Sequence, residues 1–401
     1  MNSPDSETSS AARRGYAGPA ILSHGFRPFF LGAGIWAATV VALWLAILTG
    51  RLELSSAFDP MVWHAHEMLF GFVAAAIAGF LLTAIPNWTG RLPVRGWRLG
   101  LLFALWCAGR AASGFSASIG PGPAAALDLA FLTAFAGLVL REIVAGGDRR
   151  NLPIAAIIAL LAVSNLLVHL EALGLAPTAR LGLRLGMADV AFLLTLVGGR
   201  IVPSFTRNWL AKRGEAVLPA PFGRLDRLAI AASAAAGLAW SFAPEAGVTG
   251  ALALLAAAAI AARLARWRGH RTLAEPLVWV LHLGYGWLVA GFALLGASVF
   301  FSALDPTAAL HALTAGAMGT MMLAVMTRAT LGHTGRRLSA GPGTTAIYGL
   351  VSLAVLARVL APLMSGSAPI LLGLSGFSWI AAFGLFVALY GPLLARPRRT
   401  G

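Results

Sequence analysis

One cysteine in 401 residues leaves no partner for an internal disulfide and no basis for a thiolate-rich zinc or iron–sulfur site. Cys107 lies inside an apolar run, so any metal must be held by imidazole, carboxylate or thioether. Charge is scarce as well: only 11% of residues are charged, and the 15 acidic residues are half as many as the 30 basic ones. The chain also lacks a Walker-type phosphate loop, a glycine fingerprint following a strand, and the Cys-x-x-Cys-His motif of covalently attached haem.

What fills the space is apolar. At 58% hydrophobic residues and a mean hydropathy of +0.80, the chain falls outside soluble usage and inside the polytopic membrane class. A span needs about 20 apolar residues, and polar, Pro-rich and Gly-rich breaks divide the sequence into about twelve such runs. They fall near 28–49, 62–85, 98–118, 122–144, 152–174, 180–202, 226–245, 247–266, 276–302, 307–328, 343–363 and 370–394. The expected fold is therefore an all-α polytopic membrane protein, multi-pass in a bacterial inner (cytoplasmic) membrane and surrounded by lipid.

The net charge of +15 does not indicate nucleic acid, because the arginines are spread among loops. Loops after even-numbered spans carry Arg91, Arg95 and Arg98; Arg149 and Arg150; Arg207, Lys212, Arg213 and Arg224; Arg266, Arg268 and Arg271; and Arg336 and Arg337. The opposite loops hold Arg51, Glu53 and Asp59, Glu171 and Arg180, Glu245 and Asp305. By the positive-inside rule both termini are cytoplasmic, with Arg13 and Arg14 before the first span and Arg396, Arg398 and Arg399 after the last. Residues 1–20 are Ser-rich without an apolar core, so they read as a disordered cytoplasmic tail ahead of one helical domain, 21–401.

Three even-numbered spans end in related text: Thr83 to Arg91, Val202 to Arg207, and Met326-Thr327-Arg328 running to Arg336. This suggests three pseudo-symmetric four-helix units, 21–150, 151–270 and 271–401. The competing explanation is a chance likeness of helix ends. At the outer ends of the same spans stand His66, Asp189 and His311, polar where the sequence should be apolar.

Ionisable groups inside membrane helices are functional-site hypotheses by default. His64, His66, His169 and His311, four of the eight histidines, share an outer depth in this topology. Imidazole is a common ligand for haem iron and copper, and Glu67, Glu171 and Asp305 are near in sequence to orient the rings. Two residues of helix turn by about 200°, so His64 and His66 point apart. Gly71 and Gly316 lie on small-residue faces that would admit either a flat macrocycle or another helix. Arg110 and Arg358 would suit haem propionates, and Arg110 alternatively pairs with Asp128. Met318, Met321, Met322 and Met326 offer thioethers for copper or simply fill the core. An inner-face group, His24, Arg27, Asn87, Trp88, Arg91, Arg207, Arg328 and His333, reads either as a quinol, proton-entry or second cofactor site or as ordinary interfacial residues. His282 and Tyr285 share a helix face and form a candidate relay, while His270 sits in a basic loop.

The runs Ser23-His24-Gly25-Phe26-Arg27-Pro28-Phe29-Phe30, Trp63-His64-Ala65-His66-Glu67-Met68-Leu69-Phe70-Gly71, Gly79 to Arg91, and His311 through Arg336 resemble the NnrS family. That resemblance implies a twelve-span inner-membrane protein carrying haem, of b type, and copper, linked to denitrification and nitric oxide stress. It makes His64, His66, His169 and His311 the expected metal ligands, with His24, His333 and His282 in a second tier. Expected partners are nitric oxide and an electron donor such as quinol. The expectation is a haem protein that binds and processes nitric oxide or its metal adducts as a quinol-linked oxidoreductase. Two alternatives stay open: a transporter of a metal ion or metal-nitrosyl species, and a scavenger or sensor without turnover.

Overall fold

In hydrocarbon a backbone N–H or C=O has no water to turn to, so an apolar run satisfies itself by forming a helix. The computed structural model describes residues 16–398, and every regular element among them is helical. Most of the 1–20 tail, with Arg13 and Arg14, lies outside the described residues, as does Arg399. Long helices stand where the sequence places apolar runs: α1 (Phe26–Leu48), α2 (Pro60–Thr89), α3 (Trp97–Gly114), α4 (Pro121–Ala145), α5 (Leu152–Ala172), α6 (Ala179–Lys212), α7 (Arg224–Phe242), α8 (Gly247–Ala265), α9 (Pro276–Phe300), α10 (Pro306–His333), α11 (Pro342–Leu360) and α12 (Ala368–Ala395). Ten of them are long and apolar enough to cross a membrane. The other two, α3 and α7, carry Arg98 and Arg110, and Arg224, Asp226 and Arg227.

The chain punctuates these helices by known means. α2, α9 and α10 each start at an acid followed by proline, Asp59-Pro60, Glu275-Pro276 and Asp305-Pro306. The carboxylate accepts from the backbone N–H of Met61, Leu277 or Thr307, and proline fixes φ without stranding a donor. α2 stops at Gly90, whose φ of 70° is the left-handed cap that glycine adopts without strain.

Three helices stand apart. The most apolar windows of α2, α6 and α10 are 78%, 67% and 72% buried, against at most 56% in any other span. Each is also interrupted by a π-helical stretch: Glu67–Val73, Leu194–Gly198 and Ala312–Gly319. A π turn widens the helix and alters which carbonyls its own N–H groups reach. In two of the three, side chains of other helices take such a carbonyl: Trp106 Nε1 donates to Gly71 O at 3.0 Å, and Arg263 Nη1 donates to Thr195 O at 2.7 Å. The same three helices run past the ends expected from sequence, to Thr89, Lys212 and His333. Pro86 and Pro203 do not stop them, because losing one backbone bond is tolerated where neighbouring groups re-satisfy it.

The chain forms two compact units. The first holds residues up to Ala179, Ala329–Arg336 and the chain from Val387; the second holds Arg180–Arg328 and Arg337–Phe386. Within the first, α1 packs on α2, α3 on α4 and α4 on α5; within the second, α7, α8 and α9 pack in series and α9 lies on the π stretch of α10.

Candidate metal centre

His66 leaves α2 on its last α-helical turn, just before the π stretch, and is fully buried. Asp128 comes from the first half of α4, Asn165 and His169 from successive turns of α5, and Arg110 from the far end of α3. All belong to the first unit. Asp128 reaches the cluster because α3 is thin at Gly109: a Cβ there would stand 2.7 Å from Asp128 Oδ1.

One oxygen organises the site. Asp128 Oδ2 accepts from Asn165 Nδ2 at 2.8 Å and lies 2.9 Å from His169 Nε2 and 3.1 Å from His66 Nε2. The side-chain carbonyl of Asn165 is 2.8 Å from His66 Nε2, and Glu67 Oε1 is 3.0 Å from the other ring nitrogen, Nδ1. Arg110 then spans both acids, with Nη1 donating to Glu67 Oε2 at 2.8 Å and Nη2 donating to Asp128 Oδ1. Every charged member is buried, so each acid needs the guanidinium and each ring needs an oxygen.

One ring nitrogen from each of His66 and His169 and a carboxylate oxygen of Asp128 lie within 4.8 Å of one another. Ligands about 2 Å from a shared ion lie about 3–4 Å apart, close to these separations. Two imidazoles and a carboxylate suit copper(II), zinc or iron(II). Glu67 on His66 Nδ1 is the carboxylate–histidine arrangement that fixes a ligating ring and raises its basicity.

A macrocycle is a different matter. The ring of Phe58 lies 4.9 Å from that of His66 and 5.1 Å from that of His169, and Phe70 lies 5.2 Å from His66. The glycine faces are also occupied. A Cβ on Gly71 would lie 2.6 Å from Trp36 Nε1, one on Gly316 2.9 Å from Trp287, and one on Gly319 2.5 Å from Trp379. The residues present fit a single ion between His66 and His169 and do not fit a haem there.

The remaining candidates fall as follows. The ring of His64 stacks on Trp44 at 4.6 Å, turned away from His66 as helix geometry requires. His311 is in the second unit, where its Nδ1 donates to Thr307 O of its own helix at 2.9 Å. Arg358 is half-buried in α11, with Asp305 as the carboxylate acting on it.

The inner-face group does not gather into one site within either unit. In the first, the rings of His24 and His333 lie 6.0 and 5.3 Å from that of Phe26, and Arg27 Nη1 donates to Leu393 O, Leu394 O and Arg396 O at the end of α12. Arg91 donates to Glu142 at 2.6 Å, Asn87 is exposed and bonds to Thr83 O of its own helix, and Trp88 is half-buried. In the second, Arg207 donates to Pro219 O and Arg328 lies over Phe205 at 4.2 Å.

His282 and Tyr285 face different partners. His282 Nε2 lies 2.8 Å from Thr206 Oγ1, whereas Tyr285 accepts from Arg263 Nη1 at 3.0 Å.

Sequence reasoning passed over Asn165, and over the Arg263–Asp226 pair, where Nε donates to Oδ1 at 2.7 Å. Their signal was present: an Asn four residues before a span histidine, and one arginine in an alanine-rich span.

Helices able to cross a membrane ten times, with two histidines and an aspartate converging inside, define a polytopic membrane protein with a candidate metal centre. The family model described as NnrS protein matches residues 20–398, and the chain belongs to that family. No curated protein matches it.

Proposed function

We propose that His66, Asp128 and His169 hold one transition-metal ion, and that through it the chain serves in defence against nitric oxide or in denitrification, the setting that NnrS membership implies. The observation that carries the reading is the convergence of two imidazoles and a carboxylate from α2, α4 and α5 inside the apolar interior. Copper is the ion we assign, since the donor set admits it and the family reading calls for it. When bound, such an ion supplies an open coordination position for a small neutral ligand.

The protein's own groups supply the rest. Glu67 Oε1, 3.0 Å from His66 Nδ1, would accept a hydrogen bond from that nitrogen and leave Nε2 for an ion. Asn165 steadies Asp128, and Arg110 balances the two acids. Phe58 and Phe70 exclude water from the rings, which suits nitric oxide, a neutral, lipid-soluble molecule that needs no polar channel. Haem of b type stays in the proposal only at histidines outside this cluster. His311, in the second unit, is one such histidine, its Nδ1 held by Thr307 O. A quinol-linked electron supply belongs to the same proposal.

We read the chain as crossing the inner membrane twelve times, with α3 and α7 as the two more polar spans and both termini cytoplasmic. The distribution of loop arginines supports this.

Metal analysis of full-length protein purified in detergent after copper supply tests the central assignment. About one ion per chain is expected, falling below a tenth in His66→Ala and His169→Ala and unchanged in His270→Ala, whose ring is exposed. Equal metal content in all four proteins would refute it.

A further inference from the structure

Among the described residues five acids are buried: Glu67, Asp128, Asp189, Asp226 and Glu275. Four are compensated. Arg110 bridges Glu67 and Asp128, Arg263 pairs with Asp226, and Glu275 accepts from the backbone N–H groups of Leu277 and Ala340. Asp189 is the exception. It is 5% exposed, its Oδ2 is buried with no hydrogen-bond partner, and among the described residues it forms no ion pair. The nearest guanidinium on its own helix, Arg184, donates Nε to Ser241 O instead. Next along α6, Ala188 presses against α7 at Gly237, where a Cβ would come within 3.0 Å of the Ala188 methyl. α6 and α7 thus pack closely one residue from Asp189, whose own side chain is buried.

An ionised carboxylate in that setting, without counter-charge or donor, is among the costliest groups a membrane helix can carry, whereas the neutral acid is tolerated. We propose that Asp189 is a proton-binding site in the second unit, occupied by its proton in the resting protein and separate from the metal centre. A carboxyl that takes and gives up one proton inside the membrane is what a proton-coupled step requires. Neither the family nor the metal reading assigns it.

The neutral acid has a distinctive reaction. It adds its O–H across the N=C=N of a lipophilic carbodiimide to give an O-acylisourea, which rearranges to a stable N-acylurea with the whole reagent retained. Full-length protein in lipid vesicles is treated with dicyclohexylcarbodiimide, digested, and mapped by mass spectrometry. The expected result is an adduct on Asp189, with none on Asp128 or Asp226, each of which is paired with a guanidinium. Infrared spectra of wild type and Asp189→Asn supply the second measurement, because asparagine keeps the shape and removes the acid: the carbonyl stretch of a protonated carboxyl is expected in the first and lost in the second. No adduct on Asp189, equal adducts on the paired acids, or a carboxyl band that survives in Asp189→Asn would each overturn the proposal.

Discussion

At the scale of single residues, the account rests on buried charges being compensated in detail. Arg110 is the test case, because its guanidinium bridges Glu67 and Asp128 inside the first unit. Removing one partner of a buried ion pair typically costs about 3–5 kcal/mol, since the other charge is left stranded. Arg110→Leu is therefore expected to lower thermal stability in detergent by about that amount. Adding Asp128→Asn to that variant should recover part of the loss while leaving the metal site without its oxygen ligand. Equal melting of Arg110→Leu and wild type would show that the cluster does not depend on the guanidinium. Much at this scale was legible: His66 and His169 declare themselves as polar groups in apolar runs. Asn165 did not, because a lone amide in a span is usually satisfied locally, and only packing of α5 on α4 shows that it meets Asp128. The Gly71 and Gly316 faces were visible as small-residue stripes, but the sequence could not say that tryptophan rings fill them.

At the scale of elements, length and hydropathy suffice to place the helices, since an apolar run of about 20 residues in a membrane satisfies its backbone within itself as a helix. The π stretches are invisible to that reasoning: one extra residue in a turn leaves hydropathy unchanged. Their consequence is large, because each residue turns a helix by about 100°. In α2 the stretch Glu67–Val73 sets the angle between His66 and the following segment Ala74–Thr89. Deleting Leu69 is expected to restore a regular helix, rotate His64 and His66 by about 100° relative to that segment, and abolish metal retention while the protein still inserts. Metal analysis of the inserted deletion variant checks this, and an unchanged metal content would show that the π turn has no part in aiming His66. Helix ends were the other partial failure. Pro86 and Pro203 are ordinary stop signals, yet the chain continues helically through both.

At the scale of the whole molecule, composition alone is enough to assign the membrane class, and the four sequence blocks point to the NnrS family, whose model matches residues 20–398. Which helices become the most buried was not readable from hydropathy, because α2, α6 and α10 are no more apolar as a group than the rest. Orientation is where the loop arginines make a sharp statement. Alkaline phosphatase fused after Asp305 should be active, and fused after Arg337 inactive, if α10 carries the chain from the outer to the inner face. The reverse pattern would invert the topology and move the metal cluster to the cytoplasmic side.

X-ray absorption at the copper edge of the full-length protein bears most directly on the metal assignment. Two imidazoles and an oxygen are expected in the first coordination shell, with one imidazole lost in His169→Ala. A copper signal whose shell is unchanged when both His66 and His169 are replaced would contradict it.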